Sequence, residues 1–163
     1  MKIRSVFRWQ LLVSMVLLLG ALLGACRREA PRKVEIVHAP PEGDVARWVR
    51  GELGRAAREG REVLVYVGAT WCEPCQRFHA AAAAGQLDAS YPTLRLLEFD
   101  RDRDEERLRE AGYTAPYIPL FAVPAADGRA SGRQIAGSIK GEGAVGNIAP
   151  RLTELLTTRG PGS

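Results

Sequence analysis

Cysteine and histidine are both scarce in this sequence of 163 residues, which holds three cysteines and two histidines. A structural zinc site normally takes four ligands from such residues. Cys72, Cys75 and His79 lie close enough along the chain to supply three of them. A zinc site therefore remains an alternative that lacks its fourth ligand, and we expect the protein to bind neither a metal nor another cofactor.

A strong net charge is also absent. The formal net charge is +4, and Lys2, Arg4 and Arg8 lie in an N-terminal segment that we expect to be removed. Subtracting these three charges from +4 leaves +1 for the rest of the chain. No stripe of lysine and arginine interleaved with aromatic residues appears either, so the composition does not favour binding to nucleic acid.

The N-terminus is typical of a bacterial export signal. Residues 1–9 are positively charged and residues 11–23 are almost entirely apolar. The apolar run is short for a membrane-spanning helix, and small residues typical of a cleavage site follow it. We predict a signal peptide over residues 1–25, with an uncleaved signal anchor as the alternative.

The end of this segment, Leu23-Gly24-Ala25-Cys26, resembles the lipobox of bacterial lipoproteins. The resemblance implies that Cys26 is lipidated and that the protein faces the periplasm while anchored to the inner or the outer membrane. Lipidation would leave two cysteines as a pair, whereas an odd thiol in an exported protein would need another explanation.

The two remaining cysteines form the segment Cys72-Glu73-Pro74-Cys75, which directly follows the apolar run 63–67. A strand that leads into Cys-x-x-Cys and then into a helix is a redox arrangement. The helix N-terminus favours the thiolate, which is the form that attacks another disulfide. A purely structural disulfide is the alternative reading of the same pair.

Hydrophobic periodicity and turn residues divide the rest of the chain into alternating elements. We expect strands that alternate with helices to be parallel, and the last two strands, joined by a turn, to be antiparallel. The predicted domain covers residues 43–158, after a tether over 26–42 that contains a short edge strand over 34–37, and before a tail over 159–163. The predicted helices cover 44–59, 76–84, 102–111 and 148–156, and the predicted strands cover 62–67, 94–99, 118–123 and 133–139.

The segment from Trp71 to Cys75 after a strand, together with Ile118-Pro119 further on, resembles the thioredoxin family over residues 43–158. The resemblance implies an α/β thioredoxin fold with a central mixed sheet flanked by helices. It also implies that Cys72 is the exposed attacking cysteine and Cys75 the buried resolving one. Pro119 would be a cis-proline that presents the substrate backbone together with Ile118, and Trp71 would flank the site.

The site departs from the family pattern at two positions. Many thioredoxins bury an aspartate where this chain has Tyr66, which is a poor base near neutral pH. The candidates for that proton-accepting role are Glu98, Glu73 and ordered water. Glu73 also replaces the usual glycine beside Cys72, and its negative charge is expected to raise the pKa of that thiol and make the pair more reducing. Pro74 suits the first turn of a helix, where its missing N–H costs nothing.

We therefore predict a protein-disulfide oxidoreductase, with reduction as the favoured direction and periplasmic protein disulfides as its substrates. A transmembrane thiol reductase would donate the electrons, and the protein would act as a monomer. The Glu-Pro pair between the cysteines also resembles membrane-tethered thioredoxins that reduce apocytochrome c. The alternatives are a periplasmic disulfide oxidase or isomerase, and a non-catalytic binding module with the thioredoxin fold.

Overall fold

The computed structural model describes residues 32–158. The predicted signal peptide, the predicted lipidation site at Cys26 and the predicted tail lie outside the described residues. No helix within 32–158 combines the length and the apolar composition that a membrane crossing requires.

One mixed sheet forms the centre of the domain. Its strands are β1 (Glu35–His38), β2 (Glu62–Gly68), β3 (Leu94–Asp100), β4 (Leu120–Pro124) and β5 (Ala130–Ala136). They lie side by side in the order β1-β3-β2-β4-β5. Strands β1, β3 and β2 are parallel, whereas β4 is antiparallel to β2, and β5 is antiparallel to β4. This is the predicted α/β fold with a mixed sheet.

Within residues 32–158, four helices flank the sheet, two against each face. The helices are α1 (Val45–Glu59), α2 (Glu73–Ala83), α3 (Arg101–Glu110) and α4 (Ala144–Thr157). Successive side chains of a strand point to opposite faces. Leu64 and Tyr66 therefore pack with α2 and α4, while Val65 and Val67 pack with α1 and α3.

The helix limits follow from local capping chemistry. The Asp44 carboxylate accepts a hydrogen bond from the Arg47 backbone N–H at the start of α1, over 2.6 Å. Gly60 ends this helix in the left-handed conformation at φ 65°, which costs glycine little because it has no Cβ. Asp100 caps α3 and accepts from the backbone N–H groups of Asp102 and Arg103.

The sheet begins earlier than the predicted domain boundary at residue 43. Strand β1 lies inside the segment assigned to a tether, and it pairs with β3 in the register Glu35↔Arg95 to His38↔Glu98. Val34, just before it, is buried in the core. The apolar run that suggested an edge strand therefore belongs to the domain, because its side chains are covered by the domain's own helices.

Two other limits differ from the prediction. Helix α4 starts at Ala144, and Pro150 lies inside it. Proline has no backbone N–H, so the helix lacks one hydrogen bond at Pro150. The burial of Ile148 and Leu152 on the same helix offsets this loss. Strand β5 occupies 130–136 rather than the predicted 133–139. The small residues before position 133, which suggested a turn, are instead paired with β4 beside a bulge, and Gly132 there has φ 85°.

Candidate active site

The cysteine pair lies where β2 meets α2. Cys72 is the N-cap of α2, and its sulfur accepts a hydrogen bond from the Cys75 backbone N–H over 3.3 Å. The two residues are joined by a disulfide, with their Cα atoms 5.2 Å apart. After reduction, the same helix N-terminus would stabilise a thiolate on Cys72. Pro74 falls in the first turn of α2, as predicted.

A glycine makes room for this arrangement. A Cβ atom at Gly68 would lie 2.9 Å from the Tyr66 hydroxyl and 3.4 Å from the Cys75 Cβ. A larger residue at the end of β2 would therefore displace the Tyr66 hydroxyl.

Both cysteines are largely enclosed, which corrects one expectation. Cys75 is 2% exposed, as expected for the resolving cysteine, but Cys72 is only 5% exposed. Ala69 and the partly buried Ile118 pack against the pair. Cys72 therefore reaches solvent through a groove and does not project from the surface.

The groove has a volume of about 290 Å³ and is lined by Trp71, Cys72, Tyr117 and Ile118, among others. Trp71 is 64% exposed and Tyr117 is 69% exposed. The Trp71 indole Nε1–H donates to the Asp102 carboxylate over 2.7 Å, which orients the ring. The Ile118–Pro119 peptide bond at one wall is cis, as the sequence resemblance implies. Two of the predicted substrate-contacting residues, Trp71 and Ile118, thus line the same groove as Cys72, and Pro119 follows Ile118 at the cis bond.

The Glu73 carboxylate is bound by two partners. Its Oε1 accepts from Arg77 Nε over 2.9 Å and from the Gly141 backbone N–H over 3.2 Å. The hydrogen bond from Arg77 is the main cause that lowers the pKa of Glu73, and the Lys140 charge acts in the same direction. The negative charge that was expected to disfavour the Cys72 thiolate is therefore already paired with the positive charge of Arg77.

Tyr66 fills the position where many thioredoxins carry an aspartate. Its hydroxyl donates to the Cys75 backbone oxygen over 3.2 Å. Its ring stacks on Phe121 at 5.1 Å between centroids and meets Phe78 at 5.8 Å. Burial, reinforced by the nearby Glu98 charge, raises the pKa of Tyr66 far above its ordinary value. Tyr66 therefore stays protonated and cannot act as the base.

A second cavity, of about 400 Å³, lies behind Cys75 and is also lined by Tyr66, Glu98, His38 and His79. Glu98 stands opposite Tyr66 in the β2–β3 pairing. Its Oε2 lies 2.7 Å from His38 Nδ1 and 3.5 Å from His79 Nε2.

The two histidines, whose side chains are 74% and 40% exposed, were not predicted from the sequence to converge on Glu98. The position of His79, one helical turn after Cys75, was the available signal that this histidine lies near the cysteine pair. The sequence does not show the register between β1, β3 and β2, which places His38 and Tyr66 beside Glu98.

No group of three or more histidine, cysteine, aspartate or glutamate side chains within residues 32–158 is arranged to hold a metal ion. The alternative of a zinc site built on Cys72, Cys75 and His79 therefore finds no support in the part of the chain that the structure describes.

Comparison with known proteins relates this site to a family. A family model described as Thioredoxin-like matches residues 44–126, just over half of the chain. No curated protein matches the sequence significantly.

Several solved structures of thioredoxins are similar to this chain. That of Trichomonas vaginalis is 20% identical, with a TM-score of 0.47, and the match covers 76% of this chain and 97% of that one. A Nicotiana alata thioredoxin is 19% identical, with a TM-score of 0.48, covering 81% and 97%. Fasciola hepatica thioredoxin is 26% identical, with a TM-score of 0.43, covering 66% and 90%.

Proposed function

This chain belongs to the Thioredoxin-like family, and from that premise we propose that its Cys72–Cys75 pair reduces disulfides of protein substrates in the bacterial periplasm. The observation that carries the proposal is the placement of the pair, at the N-terminus of α2 and beneath an open groove with exposed aromatic side chains. The fold and the dithiol support thiol–disulfide exchange in general. The export signal and the lipobox-like ending before Cys26 are the reasons for choosing the periplasm.

The reaction follows from the different surroundings of the two sulfurs. The Cys72 thiolate attacks one sulfur of the substrate disulfide, a mixed disulfide forms, and the other substrate sulfur leaves as a thiolate. The Cys75 thiolate then attacks Cys72 Sγ and releases the second substrate thiolate. The substrate gains two electrons, and the protein is left with the Cys72–Cys75 disulfide. A membrane thiol reductase would return the pair to the dithiol form.

The groove suits an extended segment of another protein. Trp71, Tyr117 and Ile118 offer apolar surface beside Cys72. Arg101 and Lys140 add two positive charges to the same lining, against one carboxylate, Glu73, which Arg77 already binds. Opposite charges across an interface favour encounter and orientation. Substrates with acidic residues next to their cysteine should therefore react faster than those with basic residues there.

Turnover of a protein disulfide tests the enzymatic proposal. Wild-type protein should reduce insulin with dithiothreitol as donor, because Cys72 can start the exchange. The Cys72→Ser variant should show only the rate of the donor alone. If wild type is no faster than this variant, the remaining interpretation is a non-catalytic binding module.

A redox titration against glutathione tests the direction. A reductase should have a potential near that of thioredoxin, about −270 mV, whereas a strong oxidant such as DsbA lies near −120 mV. Because Arg77 partners Glu73, the shift toward reduction that Glu73 causes should be smaller than its position beside Cys72 suggests. A potential close to the oxidising value would favour the alternative, a disulfide oxidase or isomerase.

Trapping identifies the substrates. The Cys75→Ser variant should accumulate mixed disulfides on Cys72, because the attack that releases them is removed. Mass spectrometry of the trapped species from periplasmic extract would name them. The double variant Cys72→Ser/Cys75→Ser is the matched control and should trap nothing.

A further inference from the structure

We propose that Glu98, flanked by His38 and His79, accepts the proton that Cys75 loses when it resolves the mixed disulfide. The inference rests on the proposed function, since it concerns the second step of the exchange. It assigns to a residue of β3 a role for which the sequence left three candidates.

The need for an acceptor follows from the surroundings of Cys75. A free thiol is mostly protonated at neutral pH, and only the thiolate attacks. Cys75 is 2% exposed, so bulk water does not reach it freely. The cavity of about 400 Å³ behind it is the route by which its proton can leave.

The other groups that line this cavity are unsuited to the role. The Tyr66 hydroxyl stays protonated and donates to the Cys75 carbonyl. Asp100 already accepts from the backbone N–H groups of Asp102 and Arg103, each over 3.0 Å. The Arg103 guanidinium carries no lone pair for a proton, and it is bound to the Asp104 carboxylate.

Glu73 is excluded by its position. It lines the groove on the Cys72 side, where Arg77 and the Gly141 backbone occupy its Oε1. It is not among the residues that line the cavity behind Cys75. Of the three candidates from the sequence, Glu98 is thus the one side chain that shares a cavity with Cys75.

Glu98 also has a path to solvent. Its side chain is 19% exposed, while the histidines on either side are 74% and 40% exposed. Imidazoles exchange protons readily near neutral pH. The cavity is large enough to hold water between Cys75 and Glu98. The arrangement therefore leads from the enclosed thiol, through water and the carboxylate, to two imidazoles at the surface.

The step balances without another reactant. The Cys75 S–H bond breaks, the proton passes through water to the Glu98 carboxylate, and the Cys75 sulfur forms a bond to Cys72 Sγ. The bond between Cys72 and the substrate breaks, and the substrate thiolate leaves with the electron pair. Glu98 then releases its proton to His38, His79 or solvent.

The experiment separates the two steps. Reduced protein is mixed with a nitrobenzoate disulfide whose released thiolate absorbs visible light. The first release reports attack by Cys72, and the second reports resolution by Cys75. The Glu98→Gln variant should keep the first rate and slow the second roughly a hundredfold, the lower range for loss of a general base. Its second rate should rise about tenfold per pH unit, because it would follow the thiolate fraction.

Two controls distinguish proton transfer from a structural effect. In Glu98→Ala, added formate should restore the second rate in proportion to its concentration, since a small carboxylate can replace the missing one. Glu106→Gln removes a carboxylate whose side chain is 71% exposed on α3, and it should leave both rates unchanged.

The double variant His38→Gln/His79→Gln alters only partly or mostly exposed side chains and provides an independent test if the Glu98 variants do not fold. It should shift the pH dependence of the second rate and spare the first rate, because the two imidazoles beside Glu98 Oε2 affect how readily that carboxylate takes up a proton. An unchanged second rate in Glu98→Gln, or equal slowing of both rates, would overturn the inference. In the absence of folded Glu98 variants, an unchanged pH dependence of the second rate in the double histidine variant would do so. A wild-type protein without a first phase would reject the proposed function itself.

Discussion

At the scale of single residues, the electrostatics of the site depend on which charged side chains already have a binding partner. Glu73 and Glu98 are both carboxylates near a cysteine, but only Glu73 is bound by an arginine and a backbone N–H group. Glu98 instead faces two imidazoles in the cavity behind Cys75. Its position next to Cys72 predicted that Glu73 would raise the pKa of that thiol. The two carboxylates therefore differ in their partners as well as in their distance along the chain from the cysteines.

The pairing of Glu73 with Arg77 predicts opposite effects of two substitutions. Arg77→Gln should raise the pKa of Cys72 by about half a unit, because the Glu73 charge would lose its partner. Glu73→Gln should lower the pKa of Cys72 by a similar amount, because Arg77 and Lys140 would then act alone. Thiolate absorbance during a pH titration of the reduced protein measures both shifts. Arg109→Gln, on the exposed surface of α3, is the control, and a lower pKa in Arg77→Gln would contradict the account.

At the scale of elements, helix α3 depends on a carboxylate in its first turn. Asp104 is fully buried. It accepts from the Asp100 backbone N–H over 2.9 Å, from Arg103 Nε over 2.8 Å and from Arg107 Nε over 3.1 Å. Burial opposes its ionisation, but the hydrogen bonds outweigh burial and lower the pKa of Asp104.

Asp104→Asn should therefore destabilise the protein by about 3 kcal/mol at neutral pH, because two arginines lose a buried partner. A lowered pKa in the folded state means that the ionised carboxylate stabilises the fold above about pH 4, the ordinary range for aspartate. That contribution is lost as the pH falls toward the folded pKa, so the difference between variant and wild type should shrink in acid.

Urea unfolding at several pH values measures the difference. Glu105→Gln, with its side chain 70% exposed on the same helix, should change stability little. A constant difference between Asp104→Asn and wild type at all pH values would contradict the linkage.

Element types were predictable from the sequence, whereas some limits were not. The helix over 44–59 is bounded by Asp44 and Gly60, both local signals, and the structure places α1 between them. Helix α4 extends four residues before its predicted start at Ile148, because Ala144 is buried against the core. Local rules weigh Pro150 as a helix breaker and do not include the burial that compensates for it.

At the scale of the whole molecule, the domain is completed by β1 and by ion pairs around a buried arginine. Arg95 is 4% exposed. Its Nε donates to Glu35 of β1 over 2.9 Å, and its guanidinium also contacts Glu59 at the end of α1. These ion pairs join the first strand to the sheet and to the first helix, which the predicted boundary at residue 43 would have separated.

A protein that starts at residue 43 should therefore be less stable than one that starts at residue 32, by roughly 3 kcal/mol. The shorter chain loses the buried Val34 and leaves Arg95 without Glu35. Urea unfolding of the two proteins measures the difference, and full-length protein provides the reference. Equal midpoints would show that β1 contributes little and would support the boundary at residue 43.

The position of the cysteine pair was determined by the sequence alone, because its causes are local. Two residues between the cysteines, a strand before them and a helix after them suffice to specify a dithiol at a helix N-terminus. The burial of Cys72 under Ile118, the bond from Gly141 to Glu73 and the convergence of His38, Glu98 and His79 were decided only by the tertiary structure. Each of these contacts joins segments that are distant along the chain. Such segments meet only when the register of the sheet, the packing on it and the positions of the loops are established.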